Sequence, residues 1–310
     1  MNRFNRFLEE FCSYYEYPRE AVEAFRNTFD RLEREEAFGS RFEAMWKRFV
    51  LHQATIYDLL PELHELATAM EIPMETLDFV FLLSLTEDLF EKYRFVGMDE
   101  SVYWETMADL SYKLRECMSV RHIPGTFVTG WFNEYFRLER FAFGRFQYET
   151  HRVHIYHEGE PRSYTLSSGA VVKEGDLFLN FHIPSSGVSL TDEVRLSSYR
   201  KAWEHLHQLF PEGRALFGCH SWLLYPKMQL FLPGTMNLIR FQKDFCLVDS
   251  RDDPGVHDDW RLYGEHAGKP LNELPRDTLL RRLFAEWLEA GGTAGIGMGF
   301  FYYDGEKFEK

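Results

Sequence analysis

The sequence predicts an α+β protein in two parts, a helical N-terminal domain over residues 1–140 and a mixed α/β sheet domain over residues 141–310. Three observations carry this expectation. Apolar residues recur with the helical period through the first part, and nothing there alternates. From about residue 143 the period drops to two in several short segments. The strands then come first as a group and later interleave with helices, an order that builds an α+β or mixed sheet.

The helical part can be followed element by element. Phe4, Phe7, Leu8 and Phe11 fall on one face of a first helix. Pro18 opens a second, with Ala21, Val22, Phe25, Phe29 and Leu32 as its apolar stripe. Gly39 and Ser40 punctuate before a third, carrying Phe42, Met45, Trp46 and Phe49. A fourth spans Thr55 to Met70 with Pro61 in its first turns, a fifth starts at Pro73, and Asp99 caps a sixth from Ser101 to Cys117. The segment from His122 to Gly125 breaks the pattern, and a last amphipathic helix is expected over Trp131 to Phe141.

In the second part, residues 146–154 alternate, Glu158 to Pro161 reads as a turn, and Ser163 to Leu166 as a short strand. Asp176 to Ile183 alternates cleanly, and a long helix follows over Leu190 to Phe210. A strand at Arg214 to Cys219 precedes a helix at Pro226 to Leu232 and strands at Arg240 to Val248 and Trp260 to Tyr263. Pro275 opens a helix that stops at Gly291 and Gly292, and a strand around Gly299 to Tyr303 closes the chain.

Composition narrows the partners. A net charge of −14 repels phosphate backbones and anionic lipid surfaces, so neither nucleic acid nor a membrane is an expected partner. The four cysteines, Cys12, Cys117, Cys219 and Cys246, form no C-x-x-C pair, which disfavours a cysteine zinc site and fits reduced thiols. Glu9 and Glu10 interrupt what would be the apolar region of a signal peptide, so the cytoplasm is the expected compartment.

Five places could carry chemistry. The strand–loop–helix over 176–210 places Ser185, Ser186 and Gly187 where a loop could cradle a phosphate at a helix start. Against this, Ser189 with Asp192 reads as a capping arrangement, and Asp192 with Glu193 would repel a pyrophosphate. Cys219, beside His220 and Ser221, ends a short apolar strand, where open sheets form ligand crevices. Neighbouring strand residues face opposite ways, so a base for Cys219 would come from His182 or Glu149. Burial as a small apolar residue is the competing reading. His151, His154 and His157 lie on a strand-like segment, where odd spacing separates them. The glycines from Gly291 to Gly299 follow a helix, unlike a nucleotide-binding fingerprint, and fit a helix end and an edge strand. Asp252 and Asp253 with His257, Asp258 and Asp259 lack calcium-loop spacing and read as a solvated turn.

Taken together, Phe143-Gly-Arg-Phe-Gln-Tyr-Glu149, Phe181-His-Ile-Pro184, Cys219-His-Ser-Trp-Leu-Leu224, the segment from Leu232 to Gln242 and Leu274-Pro-Arg-Asp-Thr278 resemble bacterial GNAT-like acyltransferases. Those proteins join a helical acyltransferase domain to a GNAT-like domain. The resemblance implies N-acyl transfer from an acyl-CoA co-substrate, acetyl-CoA or longer, to a small-molecule amine or a peptide. It brings no catalytic residues with it. From the residues themselves, Glu149 or His182 is expected as base, with Cys219 or Ser221 near the thioester. The alternatives are a non-catalytic binding module on the same frame and an acyl-enzyme formed on Cys219.

Overall fold

The structure, a computed structural model, describes residues 4–310 apart from 155, 158, 159, 162, 254 and 256–258, with the backbone alone at 156, 157, 160 and 161. The turn glycine Gly159, with Glu158, and His257 and Asp258 therefore lie outside the described residues, as does the side chain of His157. Two compact units divide the chain, Met1–Arg140 and Phe141–Lys310.

The first unit is helical: α1 Arg6–Tyr14, α2 Arg19–Arg34, α3 Glu36–Val50, α4 Ile56–Ala69, α5 Met74–Phe95, α6 Glu100–Arg121 and a single turn, α7, at Asn133–Phe136. Side-chain caps set the starts of α1, α4 and α6. Asn5 accepts from Leu8 N–H, Asp99 accepts from Ser101 N–H, and Thr55 with Asp58 closes a capping box on α4. Helix α5 is buried on all sides from Leu77 to Leu83, as a helix apolar all round must be, and α1, α2, α4 and α6 pack against it. Phe25 stacks on Phe79 and Phe42 meets Phe81 edge-on. No described helix is long and apolar enough to cross a membrane.

Two expectations are corrected here. Gly39 lies inside α3, because the break falls earlier, at the extended Glu35. Trp131–Phe141 is not one helix: a 3-10 turn over Thr129–Phe132 runs into α7, Leu138 takes a left-handed φ of 58° that no helix can continue through, and a strand follows.

The second unit contains β1 Arg140–Phe143, β2 Phe146–Arg152, β3 Tyr156–His157, β4 Glu160–Pro161, β5 Ser163–Thr165, β6 Val171–Lys173, β7 Leu177–His182, α8 Asp192–Leu206, β8 Ala215–Ser221, α9 Asn237–Gln242, β9 Cys246–Asp253, α10 Trp260–Tyr263, α11 Leu279–Glu289, β10 Ala294–Tyr303 and β11 Phe308–Glu309. Among the described residues, one sheet runs β1-β2-β7-β8-β10-β11, with β9 also on β10. In it β7 and β8 pair in parallel, while β2–β7, β8–β10, β9–β10 and β10–β11 are antiparallel.

Alternation sorts side chains to two faces. On one, Phe146, Tyr148, Phe181, Phe217 and Phe301 close around Tyr199 of α8. Ser198 of α8 fastens the β1–β2 hairpin, donating to Phe143 C=O and accepting from Phe146 N–H. The other face carries Phe178, Leu216 and Phe300, which pack with Leu166 and Val172 of the β5–β6 hairpin.

Segments expected as strands at Arg240–Val248 and Trp260–Tyr263 are corrected. The first divides into α9 and β9, because Leu238, Ile239, Phe241 and Gln242 are buried at helical spacing. The second is the one-turn helix α10, whose buried Tyr263 joins the core formed with α11. The glycine tail lies in an interior strand rather than an edge one, since β10 has partners on both sides. Its glycines make room: a side chain at Gly297 would strike the Leu224 carbonyl, and one at Gly295 the Tyr225 ring.

Arg195, only 3% exposed, is held by Asp244 through Nε at 2.7 Å and Nη2 at 3.1 Å, and Tyr199 donates to the same carboxylate. Asp244→Ala is expected to lower stability by about 3 kcal/mol, because it removes the carboxylate that Arg195 and Tyr199 share and leaves the buried guanidinium with Asp192 alone. A thermal melt and a urea titration check this, and a loss below about 1 kcal/mol would show the pair to be dispensable.

Candidate functional site

The site begins where the parallel ladder ends. Strands β7 and β8 pair at Leu179↔Phe217 and Asn180↔Gly218. Beyond that point β7 continues to pair on its outer edge, His182 with Gln147 of β2. Strand β8 likewise continues with β10, through Cys219↔Gly299, His220↔Met298 and Ser221↔Gly297. Each strand keeps its outer partner and leaves its inner one, so a gap opens between residues 181–182 and 219–221.

The face opposite α8 carries a polar cluster at this gap. Glu149 is 5% exposed, and its Oε1 lies 2.7 Å from His182 Nε2, 2.9 Å from His151 Nε2 and 3.0 Å from Asn180 Nδ2. Alternation accounts for the grouping: Gln147, Glu149 and His151 share one face of β2, Asn180 and His182 the same face of β7, and Glu149 stands opposite Asn180. His182 is 25% exposed, so it stands between the buried carboxylate and solvent. With its Nε2 proton given to Glu149, its Nδ1 is the basic nitrogen. Gln147, 2% exposed and directly across from His182, has an Oε1 with no hydrogen-bond partner among the described residues.

The structure therefore brings Glu149 and His182 together but does not add Cys219 or Ser221 to them. Those two lie on the α8 face of β8, with Phe217. Cys219 is 1% exposed, and burial pushes its thiol well above the ordinary range, so it behaves as a small core residue. Neither Glu149 nor His182 can serve it as base across the sheet. Ser221 Oγ accepts from Leu223 N–H at 3.2 Å and caps a short 3-10 turn.

The loop after β7 is held from below. Arg145 donates to the carbonyls of Pro184, at 2.8 Å, and Val188, at 2.9 Å. Gly187 takes a φ of 76° with open space around it, and Ser186 Oγ accepts from Val188 N–H. The capping of α8 differs from the expected arrangement: Thr191 is the N-cap, while Ser189 accepts from Asn237. Asp192 does not stand as a bare charge at the helix start, since Arg195 and Arg240 both pair with it.

Two cavities adjoin this region on the second unit. One of about 380 Å³ has Phe178, Met298 and Ile296 as apolar wall and His220, Arg152 and Arg251 as polar wall. The other, of about 460 Å³, is lined by Trp222, Met228, Leu262 and Phe284, and shares Arg251 and Ile296 with the first. Burial and, next, the Arg251 charge hold the His220 imidazole below its usual range, with Asp249 acting in the opposite sense. Asp252 is tied to Lys227 and Tyr225, and Lys227 first of all keeps its carboxyl low. Among the described residues no group of His, Cys, Asp and Glu could hold a metal ion. His151, Asn180, Gln147, Arg152 and Arg251 were not among the expected site residues. For His151 the signal was present in its spacing of two from Glu149, whereas its spacing of three from His154 separates that pair.

Comparison with known proteins agrees with this frame. The family model for the GNAT-like C-terminal domain matches residues 140–301, and that for the N-acyltransferase N-terminal domain matches residues 6–138. A crystal structure of an acyltransferase in complex with decanoyl-CoA superposes with a TM-score of 0.72 at 20% identity, covering 94% of this chain and 86% of that one. A second, in complex with decanoyl-CoA and teicoplanin, gives 0.70 at 20% identity over 94% and 86%. A variant acyltransferase in complex with octanoyl-CoA gives 0.70 at 20% identity over 96% and 87%. At this identity the likeness is one of fold. No curated protein matches the chain.

The thiols offer a check on the placement of Cys219. Cys12 and Cys117 are buried, and desolvation pushes each thiol up to about 12. Cys246 alone is half-buried. A chromogenic disulfide reagent at neutral pH is expected to titrate one thiol quickly in the native protein, lost in Cys246→Ser, and four after unfolding. Rapid labelling of Cys219 in the folded protein would contradict its assignment to the core.

Proposed function

The chain belongs to the family that joins an N-acyltransferase N-terminal domain to a GNAT-like C-terminal domain, and from that premise we propose that it moves an acyl group from a CoA thioester to an amine with His182 as the general base. The observation that carries this reading is the Glu149–His182 pair at 2.7 Å, seated where β7 and β8 separate.

The chemistry follows from that placement. The acyl-CoA supplies an activated carbonyl whose thiolate is a good leaving group. Its pantetheine arm fits the gap between β7 and β8, and its pyrophosphate fits the backbone around Ser185, Ser186 and Gly187, with Arg240 of α9, beside Asp192 at the start of α8, as counter-charge. The amine nitrogen attacks the thioester carbon as His182 takes its proton. The carbon–sulfur bond then breaks, and the thiolate leaves and is protonated. Glu149 fixes the imidazole tautomer and stabilises the imidazolium that forms. Its burial strengthens that interaction, because little water screens it. Backbone N–H groups on the inner edges of the diverging strands suit the oxyanion.

The neighbours in complex with octanoyl- and decanoyl-CoA support a medium-chain donor, and those with teicoplanin support an amine on a small molecule or peptide as acceptor. Isothermal titration with CoA thioesters of two to twelve carbons tests the donor, and an absence of binding across the series removes the reading. His182→Ala is expected to lower kcat by about 10²–10⁴ while leaving the thioester Kd within a factor of two or so. Glu149→Gln should retain binding and lose about tenfold or more in kcat. Full turnover in His182→Ala would exclude it as the base.

A further inference from the structure

On the sheet face that carries His182, the smaller cavity runs from Phe178 past the last β7–β8 pair to His220, and it has a charge unlike the rest of the chain. The protein carries a net charge of −14. The cavity wall nevertheless presents two guanidiniums, Arg152 and Arg251, and two imidazoles, His154 and His220, against the single carboxylate of Asp249. The neighbouring groups are placed as follows. Arg152 donates one N–H to the Gly175 carbonyl, His154 is engaged by Glu174 at 3.0 Å, and Asp249 accepts from Ser250 N–H. The Arg251 guanidinium is exposed and has no ion-pair or hydrogen-bond partner among the described residues. It lies close enough to His220 to act on it electrostatically. The apolar wall is Phe178, Ile296 and Met298.

A guanidinium held over an apolar wall in an acidic protein recognises a planar anion, which it can bind through two N–H groups at once. Its field also draws that anion in against the repulsion of the whole chain. The cavity reaches His220, which occupies on β8 the place that His182 occupies on β7, two residues past the Asn180↔Gly218 pair. An acceptor lying in it would present its amine towards the gap and its far end to Arg251.

We propose that this cavity selects the acceptor, and that the acceptor is an amine bearing a carboxylate and an apolar group, the chemistry of an amino acid or short peptide with a free C-terminus. The inference rests on the acyltransfer reading, deepening it from amines in general to anionic amines. Arg251 is the specificity residue, with Arg152 beside it.

The test uses the full chain, octanoyl-CoA as donor, and phenylalanine, glycylphenylalanine and glycylglycylphenylalanine as acceptors, each as free acid and as C-terminal amide. At least one free acid is expected to exceed its amide in kcat/KM by about tenfold or more, mainly through KM. That ratio should fall towards one in Arg251→Ala and be partly restored in Arg251→Lys. Equal use of acids and amides at all three lengths, or a ratio that survives Arg251→Ala, overturns the proposal. Calorimetric binding of the same free acids in the presence of CoA keeps the two readings apart. Acid binding that Arg251→Ala abolishes, without any turnover, supports the anion site and sinks acyl transfer. Turnover of amides as fast as acids does the reverse, and no binding of any free acid overturns the site.

Discussion

The parallel ladder between β7 and β8 is two pairs long, and the rest of the second unit is arranged around its early end. Both strands are fixed from outside. Six pairs hold β7 to β2, and seven hold β8 to β10. Antiparallel pairing of that length leaves each strand little freedom to bend towards the other. Aromatic rings reinforce the separation: Phe181 packs with Phe146 and Phe245, and Phe217 stacks on Phe301 at 5.1 Å. Tyr199 of α8 touches both Phe181 and Phe217, so one side chain spans the strands beneath the gap. A sheet built this way has an opening whose position is set by the core.

The polar face of the opening obeys a second constraint. A carboxylate removed from water costs several kcal/mol unless charge-assisted hydrogen bonds replace its hydration. Glu149 meets this requirement with His182 and Asn180 across the β2–β7 pairing and with His151 two residues along its own strand. The same contacts that make Glu149 tolerable orient the imidazole of His182, so structural and chemical demands fall on the same atoms. The thiol of Cys219 is on the wrong face for this cluster, and burial raises its proton affinity. That placement favours direct attack by an amine over a thiol intermediate.

Charge at the start of α8 shows how local and tertiary electrostatics differ. Asp192 and Glu193 in the first turn read as anions opposing a phosphate. In the folded unit Arg240, from α9, joins Arg195 on Asp192, and Arg145 anchors the loop carbonyls. Two of these three arginines come from elements distant in sequence. A helix start that looks self-satisfied along the chain is set among guanidiniums in space, and the loop before it has open space at Gly187.

Periodicity alone determined the six long helices that build most of the first unit, the β7–loop–α8 unit and the alternation of faces on β2, because each depends on neighbours within a few residues. Glu149 and His182 were legible only as alternative bases for Cys219, and the β2–β7 register is what puts them on one face. Other features depended on contacts far along the chain. Arg240–Val248 became helix and strand because Phe241 and Phe245 had to reach Phe181, and the glycine tail became an interior strand because β8 and β9 both pair with it. Which face Cys219 joined, and that Arg152 and Arg251 meet across one cavity, follow from strand order and register. Long-range pairing sets these, and no local pattern encodes which distant strand a segment will find.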